Sequence, residues 1–186
     1  MPVEILVALL TVVVAPLGRW GWTEWQKRRA RGSYIARTAI YAELAGLRER
    51  TGAIRAFVMA SENGGGVPTP EKRIVTSVLY ESCRPEVYNV SDTWQKQPAT
   101  EFVSSIVGTV LREGQMLARV SECPAGDFRT ACDALGLTTV YFRHIALTPT
   151  KVLYLSLTWD DDTWLDAHDY DAARIAVSRL QNLLLG

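Results

Sequence analysis

The chain has little cysteine and almost no histidine. Its 186 residues include three cysteines, Cys83, Cys123 and Cys132, and two histidines, His144 and His168. An odd cysteine count without Cys-x-x-Cys spacing argues against a disulfide framework and against a zinc knuckle. Three reduced thiols in or near a core are expected instead. An excess of charge of either sign is also missing. Twenty Lys and Arg balance 20 Asp and Glu, which argues against a general nucleic-acid binder. There is no internal repeat, no Ser/Gly linker and no Gly-Lys-Ser/Thr of a phosphate-binding loop.

What is present supports a real core. Hydrophobic residues make up 48% and charged residues 22%, a balance that suits one domain plus an appendage and not a disordered chain. Charge is unevenly spread. Residues 1–32 carry Arg19, Lys27, Arg28, Arg29 and Arg31 against Glu4 and Glu24, a net +3, so residues 33–186 carry −3. Six tryptophans are many for this length, and Trp20, Trp22 and Trp25 crowd one stretch.

Residues 3–18, VEILVALLTVVVAPLG, are almost wholly apolar. The uninterrupted run Ile5–Gly18 is shorter than the roughly 20 residues of a spanning helix, but Met1–Val3 and the following RWGW bring it close. The tryptophans fit an interfacial aromatic belt, and QKRRAR follows directly, as on the side that stays in the cytoplasm. Trp20, Trp22, Trp25, Lys27, Arg28, Arg29 and Arg31 are therefore expected at a membrane interface, with anionic lipid as the partner. A cleaved signal peptide fits poorly, because no positive region precedes the apolar run and cleavage after Ala15 would leave Pro16 first. A buried or oligomerising helix is the alternative. The expected organisation is 1–32 as anchor or assembly helix and 33–186 as the body.

Along the body, residues 23–50 read as a helix with Ile40, Tyr41, Leu44 and Leu47 at helical spacing, stopped by Thr51-Gly52. Strands are expected over 54–60 and 73–83, the second alternating Val75, Ser77, Leu79 and Glu81 against Ile74, Thr76, Val78 and Tyr80. Residues 84–98 read as irregular. A helix over 99–113 places Phe102, Ile106, Val110 and Leu111 on one face and ends at Gly114. A strand (115–121), a short helix (127–137) and strands over 138–147 and 151–159 follow, the last two joined by a tight turn at Thr148-Pro149-Thr150. The last helix, 168–185, is expected to bury Ile175, Ala176, Leu180, Leu183 and Leu184 and to be capped by Asp169 or Asp171. This order implies an α+β fold: a mainly antiparallel sheet of five or six strands with packed helices, preceded by the apolar helix.

The element order resembles a GAF domain, the sheet-and-helix module of many bacterial sensors. LRERTGAIRAFVMASENGGGVPTP, VTSVLYES and WQKQPATEFVSSIVGTVLREG together resemble a group of small tailed-phage proteins. In that group an apolar segment and basic flank precede a GAF-like body with an Asn-Gly-Gly loop. The resemblance runs from the apolar segment to about residue 114 and more loosely beyond. It implies origin and fold, without an established activity. Relatives commonly have histidine just before the Asn-Gly-Gly; this chain has Glu62. Neither a cyclic-nucleotide motif nor a bilin-type cysteine motif is visible, so no cofactor is expected.

The chemistry-bearing residues read modestly. His144, among apolar residues of a strand, suits a local hydrogen bond better than a catalytic base; His168, among acids, suits solvent. Asp160, Asp161, Asp162, Asp166, Asp169 and Asp171 lack EF-hand spacing and fit a solvated loop and helix start. Gly64–Gly66 are followed by prolines and a strand, not by the helix a phosphate site needs, so the stretch reads as a loop. GAF-like loops flank a cavity on one face of the sheet, and Glu62, Asn63, Tyr80, Trp94 and His144 are the candidates to border it; the alternative there is a filled core.

Three functions fit these features. The first is a phage-encoded, membrane- or virion-associated GAF-like protein that binds or assembles without catalysis, its partners being lipid, further copies of itself or phage structural proteins, and no nucleic acid. It would sit at the host inner membrane with its body cytoplasmic, or in the virion. The second is a small-molecule sensor, and the third a holin-like membrane protein.

Overall fold

The computed structural model describes residues 15–62, 74–98 and 101–186. The chain divides into two units between Ala39 and Ile40. Helix α1 runs Ala15–Thr51 and so belongs to both. The apolar run through residue 14 and the side chains of Trp20, Trp22, Trp25, Lys27, Arg28, Arg29 and Arg31 lie outside the described residues. No described helix is long and apolar enough to cross a membrane.

The unit from Ile40 onward is built on one sheet. Its strands are β1 (Arg55–Glu62), β2 (Val75–Cys83), β3 (Gln97–Pro98), β4 (Gln115–Arg119), β5 (Thr139–Leu147) and β6 (Val152–Trp159). They lie in the order β3-β2-β1-β6-β5-β4, and every pairing is antiparallel. Helices α2 (Glu101–Glu113), α3 (Asp127–Ala134) and α4 (Ala167–Leu185) complete it.

Period-two side-chain alternation gives the sheet two apolar faces. On the first, Val58, Tyr141, Leu155, Leu157 and Trp159 pack with Ile40, Leu44 and Leu47 of α1 and Ala172, Ala173, Ala176 and Leu180 of α4. The α1 residues recur at helical spacing, and each fully buried leucine contributes roughly 1.5–3 kcal/mol. Gly52, at φ +67°, stops α1 in the left-handed conformation open to glycine. On the second face, Phe57, Met59, Val78, Phe142 and Tyr154 pack with Ile106, Val107 and Val110 of α2 and Cys132 of α3.

Two bulges alter the expected alternation. On β2, Tyr80 pairs with Val58 but Val78 with Met59, so Leu79 is the extra residue. Tyr80 is thereby rotated to the first face and Glu81 to the second, whereas unbroken alternation had set Tyr80 beside Val78. A second bulge leaves Ile145 extra between His144 and Ala146.

The helix stripes are also narrower than expected. Leu111 and Ile175 are exposed at 39% and 43%, while Ala172 and Ala173 are buried. Small side chains let α4 approach the sheet closely. Its cap is Asp166, whose carboxylate accepts from the Asp169 backbone N–H at 2.9 Å, while the Asp166 N–H donates to the Asp169 carboxylate at 3.1 Å. Asp171 instead pairs with Arg174.

Candidate binding cavity

The second face of the sheet is not fully filled. Between it, α2 and α3 lies a cavity of about 360 Å³, inside the range of roughly 300–1,000 Å³ usual for small-molecule sites. The floor is sheet: Phe57 and Met59 of β1, Thr76 and Val78 of β2, Val140 and Phe142 of β5, Tyr154, Ser156 and Thr158 of β6. Val103 and Ile106 of α2 make one wall and Phe128, Ala131 and Cys132 of α3 another. Val90 and Trp94, from the segment after β2, close a side.

This arrangement follows from the chain's local chemistry. The β6 sequence VLYLSLTW puts Leu155, Leu157 and Trp159 on the α1/α4 face, so Tyr154, Ser156 and Thr158 fall on the cavity face. The tryptophan Nε1–H donates to the Thr51 carbonyl at 3.0 Å, tying β6 to the last turn of α1. Segment 84–96 is held over the cavity by Glu81, which is 4% exposed. Its Oε2 accepts the backbone N–H groups of Val90 and Ser91, both at 2.8 Å. Gln95 adds a bond from its side-chain amide to the Val78 carbonyl at 2.8 Å. Burial pushes the Glu81 carboxyl above its ordinary value, while those two N–H groups and the Arg55 charge pull it back.

The polar groups on the floor differ in how well they are matched. Ser61 bridges Thr76 at 3.0 Å and the Tyr154 hydroxyl at 3.1 Å, which engages three hydroxyls with one another. The Thr158 residue is 3% exposed and its Oγ1 has no hydrogen-bond partner. Opposite Thr158 in register sits Arg55, 1% exposed, whose Nε and Nη1 are likewise unpartnered and whose guanidinium carbon lies 5.3 Å from the Tyr88 ring centre. Arg55 is not among the lining residues. Cys132 is, and burial pushes its thiol up to about 12, so it stays protonated and is a poor nucleophile. All three cysteines are unpaired.

Of the five residues expected to border a cavity, Trp94 lines it. Tyr80 lies on the opposite face because of the β2 bulge, edge-on to Tyr41 with ring centres 5.7 Å apart. Glu62 closes β1 and pairs with Lys151 at 3.3 Å. Asn63, with the rest of the Gly-Pro loop, lies outside the described residues. His144 lines a different, more open depression with Arg143, Arg174 and Ser178. Its Nε2 is unpartnered, and burial lowers its pKa against a smaller upward pull from the Ala146 backbone. His168 is exposed at the start of α4. The acids after β6 serve the backbone: Asp161 accepts from the Thr163 N–H at 3.1 Å.

Sequence reading missed Ser156, Thr158 and Phe142. They lie in strands whose residues look uniformly buried, and only the pairing assigns a face. The alternation Leu155-Ser156-Leu157-Thr158 carried the signal, since hydroxyls at every second position of an apolar strand share one side.

No protein-family model and no curated protein matches the chain. Solved structures do. One is the phycoerythrobilin-bound GAF domain of a cyanobacterial phytochrome, 14% identical, with a TM-score of 0.57, covering 85% of this chain and 89% of that one. Another is a far-red cyanobacteriochrome photoreceptor, 10% identical, TM-score 0.59, covering 91% and 96%. A third is the GAF domain/HD domain protein of Geobacter sulfurreducens, 9% identical, TM-score 0.58, covering 82% and 94%. Identity at this level speaks to architecture alone. The antiparallel order β3-β2-β1-β6-β5-β4 with helices on both faces is a GAF-like fold.

Proposed function

We propose that the chain is a non-catalytic binding module that takes a small molecule into the cavity beneath α2 and α3. The carrying observation is the cavity itself, with its aromatic and aliphatic walls. An apolar pocket with few polar groups is the general form of a small-molecule site. The bilin-bound GAF structures of the same fold add support by analogy. Among the described residues, no lining side chains combine the base, nucleophile and third orienting group that acyl transfer needs, and the Cys132 thiol is held protonated. The test is thermal unfolding of the full chain across a panel of metabolites, nucleotides and tetrapyrroles. A ligand of the native state raises the melting temperature in proportion to its concentration. A panel without any shift would remove the reading.

The amino-terminal sequence favours a second reading, about setting. The apolar run, the three tryptophans and the basic flank would hold the module at a host membrane or seat it in a virion, in keeping with the resemblance to small phage proteins. Further copies of the chain or phage structural proteins would be its partners in the second setting. Flotation of the full chain with anionic vesicles checks it. A chain that stays monomeric without detergent and never floats would refute both settings.

A further inference from the structure

We infer that residues 85–93 form a strap over one side of the cavity, latched by the Glu81 carboxylate and poised to swing outward so that small molecules enter and leave. As a door the strap rests on the binding function proposed above; as a moving segment it does not.

The strap is anchored at both ends and lightly held between them. At one end the Arg84 backbone N–H donates to the Ile54 carbonyl at 2.9 Å, and its guanidinium to the Gly52 carbonyl at 2.6 Å. At the other, the Trp94 carbonyl accepts from the Val78 N–H at 2.9 Å, and the Lys96 N–H donates to the Ser77 hydroxyl at 2.8 Å. Among the described residues, the stretch between is hydrogen-bonded to β1 and β2 through two side chains of β2. Glu81 Oε2 takes the Val90 and Ser91 N–H groups, and the Cys83 thiol donates to the Val87 carbonyl at 3.2 Å. Its remaining bonds are local, as from Asn89 to Ser91 and from Gln95 and Gln97 just beyond.

What the strap covers weakens its hold. The Tyr88 ring centre lies 5.3 Å from the guanidinium carbon of Arg55, which is 1% exposed. Arg55 Nε and Nη1 and Glu81 Oε1 are shut off from solvent without a hydrogen-bond partner. The two charges attract, but no hydrogen bond joins them. Buried charged groups that lack such bonds lose their hydration without replacement. Swinging the strap outward returns water to them and relieves part of that penalty. Against opening stand the two bonds to Glu81, the Cys83 bond and the burial of Val90, 2% exposed. A segment held by so few contacts opens locally while the sheet stays closed. Val90 lines the cavity, so its departure widens that side.

Hydrogen exchange on the full chain, read residue by residue and corrected for intrinsic rates, tests the latch without any ligand. The Val90 and Ser91 amides should exchange at least about tenfold faster than the core amides of β1 and β6. Glu81→Gln should speed Val90 and Ser91 roughly tenfold more and leave β1 and β6 unchanged, because bonds to an ionised acceptor are about twice as strong. Strap amides as slow as the sheet in the wild type would overturn the proposal, and that result needs no variant to fold. Equal acceleration of strap and sheet in Glu81→Gln would overturn the latch. Labelling of Cys132 with N-ethylmaleimide reads the door, since this thiol lines the cavity and is 2% exposed. With Cys83→Ser and Cys123→Ser as background, Glu81→Gln should speed labelling by the same factor as the strap amides. Faster strap exchange with unchanged labelling would overturn the door. A thermal panel without any shift would remove the binding reading, whereas the exchange results decide the strap.

Discussion

Replacing Ala131 with leucine tests whether the space beneath α3 is empty or is a packed core. Ala131 is half-buried on α3 and lines the cavity. Leucine adds three carbons. At about 0.8 kcal/mol per buried methylene the gross gain is roughly 2.4 kcal/mol. Ordering the new side chain costs about 0.5–1 kcal/mol, and leucine is nearly as good a helix former as alanine. A net stabilisation of roughly 1.5 kcal/mol follows if the side chain enters a void. Urea unfolding of the full chain reads this as a higher midpoint at unchanged slope, and thermal unfolding as a rise of about 3–6 °C. Inserting the same carbons into a filled core costs about 1–3 kcal/mol, so the two cases differ in sign. A destabilised Ala131→Leu variant would refute the cavity and with it the binding site. A stabilised variant should also lose affinity for any ligand that raises the wild-type melting temperature, because both compete for one volume.

Trp159→Phe should cost roughly 2–3 kcal/mol, combining the lost bond to the Thr51 carbonyl with the space left by the smaller ring; denaturant midpoints check it, and a cost no larger than that of Trp164→Phe, at a position 64% exposed, would count against the tie between β6 and α1. His144 predicts a pH dependence. Burial lowers its folded pKa below the ordinary 6.5, so the neutral ring's contribution is complete above about pH 6.5 and is lost as pH falls through the folded value. Glu81, shifted upward, acts in the opposite sense, contributing most below its ordinary 4.5. The difference between wild type and His144→Gln isolates the histidine: melting temperature measured from pH 8 to 5 should fall less in the variant, and parallel curves would refute the assignment.

Much of the architecture was legible in the sequence because its signals are local. Helical spacing of Ile40, Leu44 and Leu47, the glycine stops at Gly52 and Gly114, and the Thr148–Lys151 turn each depend on a few neighbouring residues, and each stands in the structure. Charge balance and the lack of metal-type cysteine spacing were equally local. The candidate site was not local. Which face a strand residue occupies depends on register, and one extra residue reverses it. Leu79 turns Tyr80 away from the cavity, and the pairing of Arg55 and Phe57 with Thr158 and Ser156 sets two hydroxyls on its floor. Sequence alone determined an α+β chain with strands in pairs and amphipathic helices between them. Only the tertiary structure decided that the sheet's second face keeps an open volume, because whether side chains from four strands and two helices fill the space between them is a property of their joint packing.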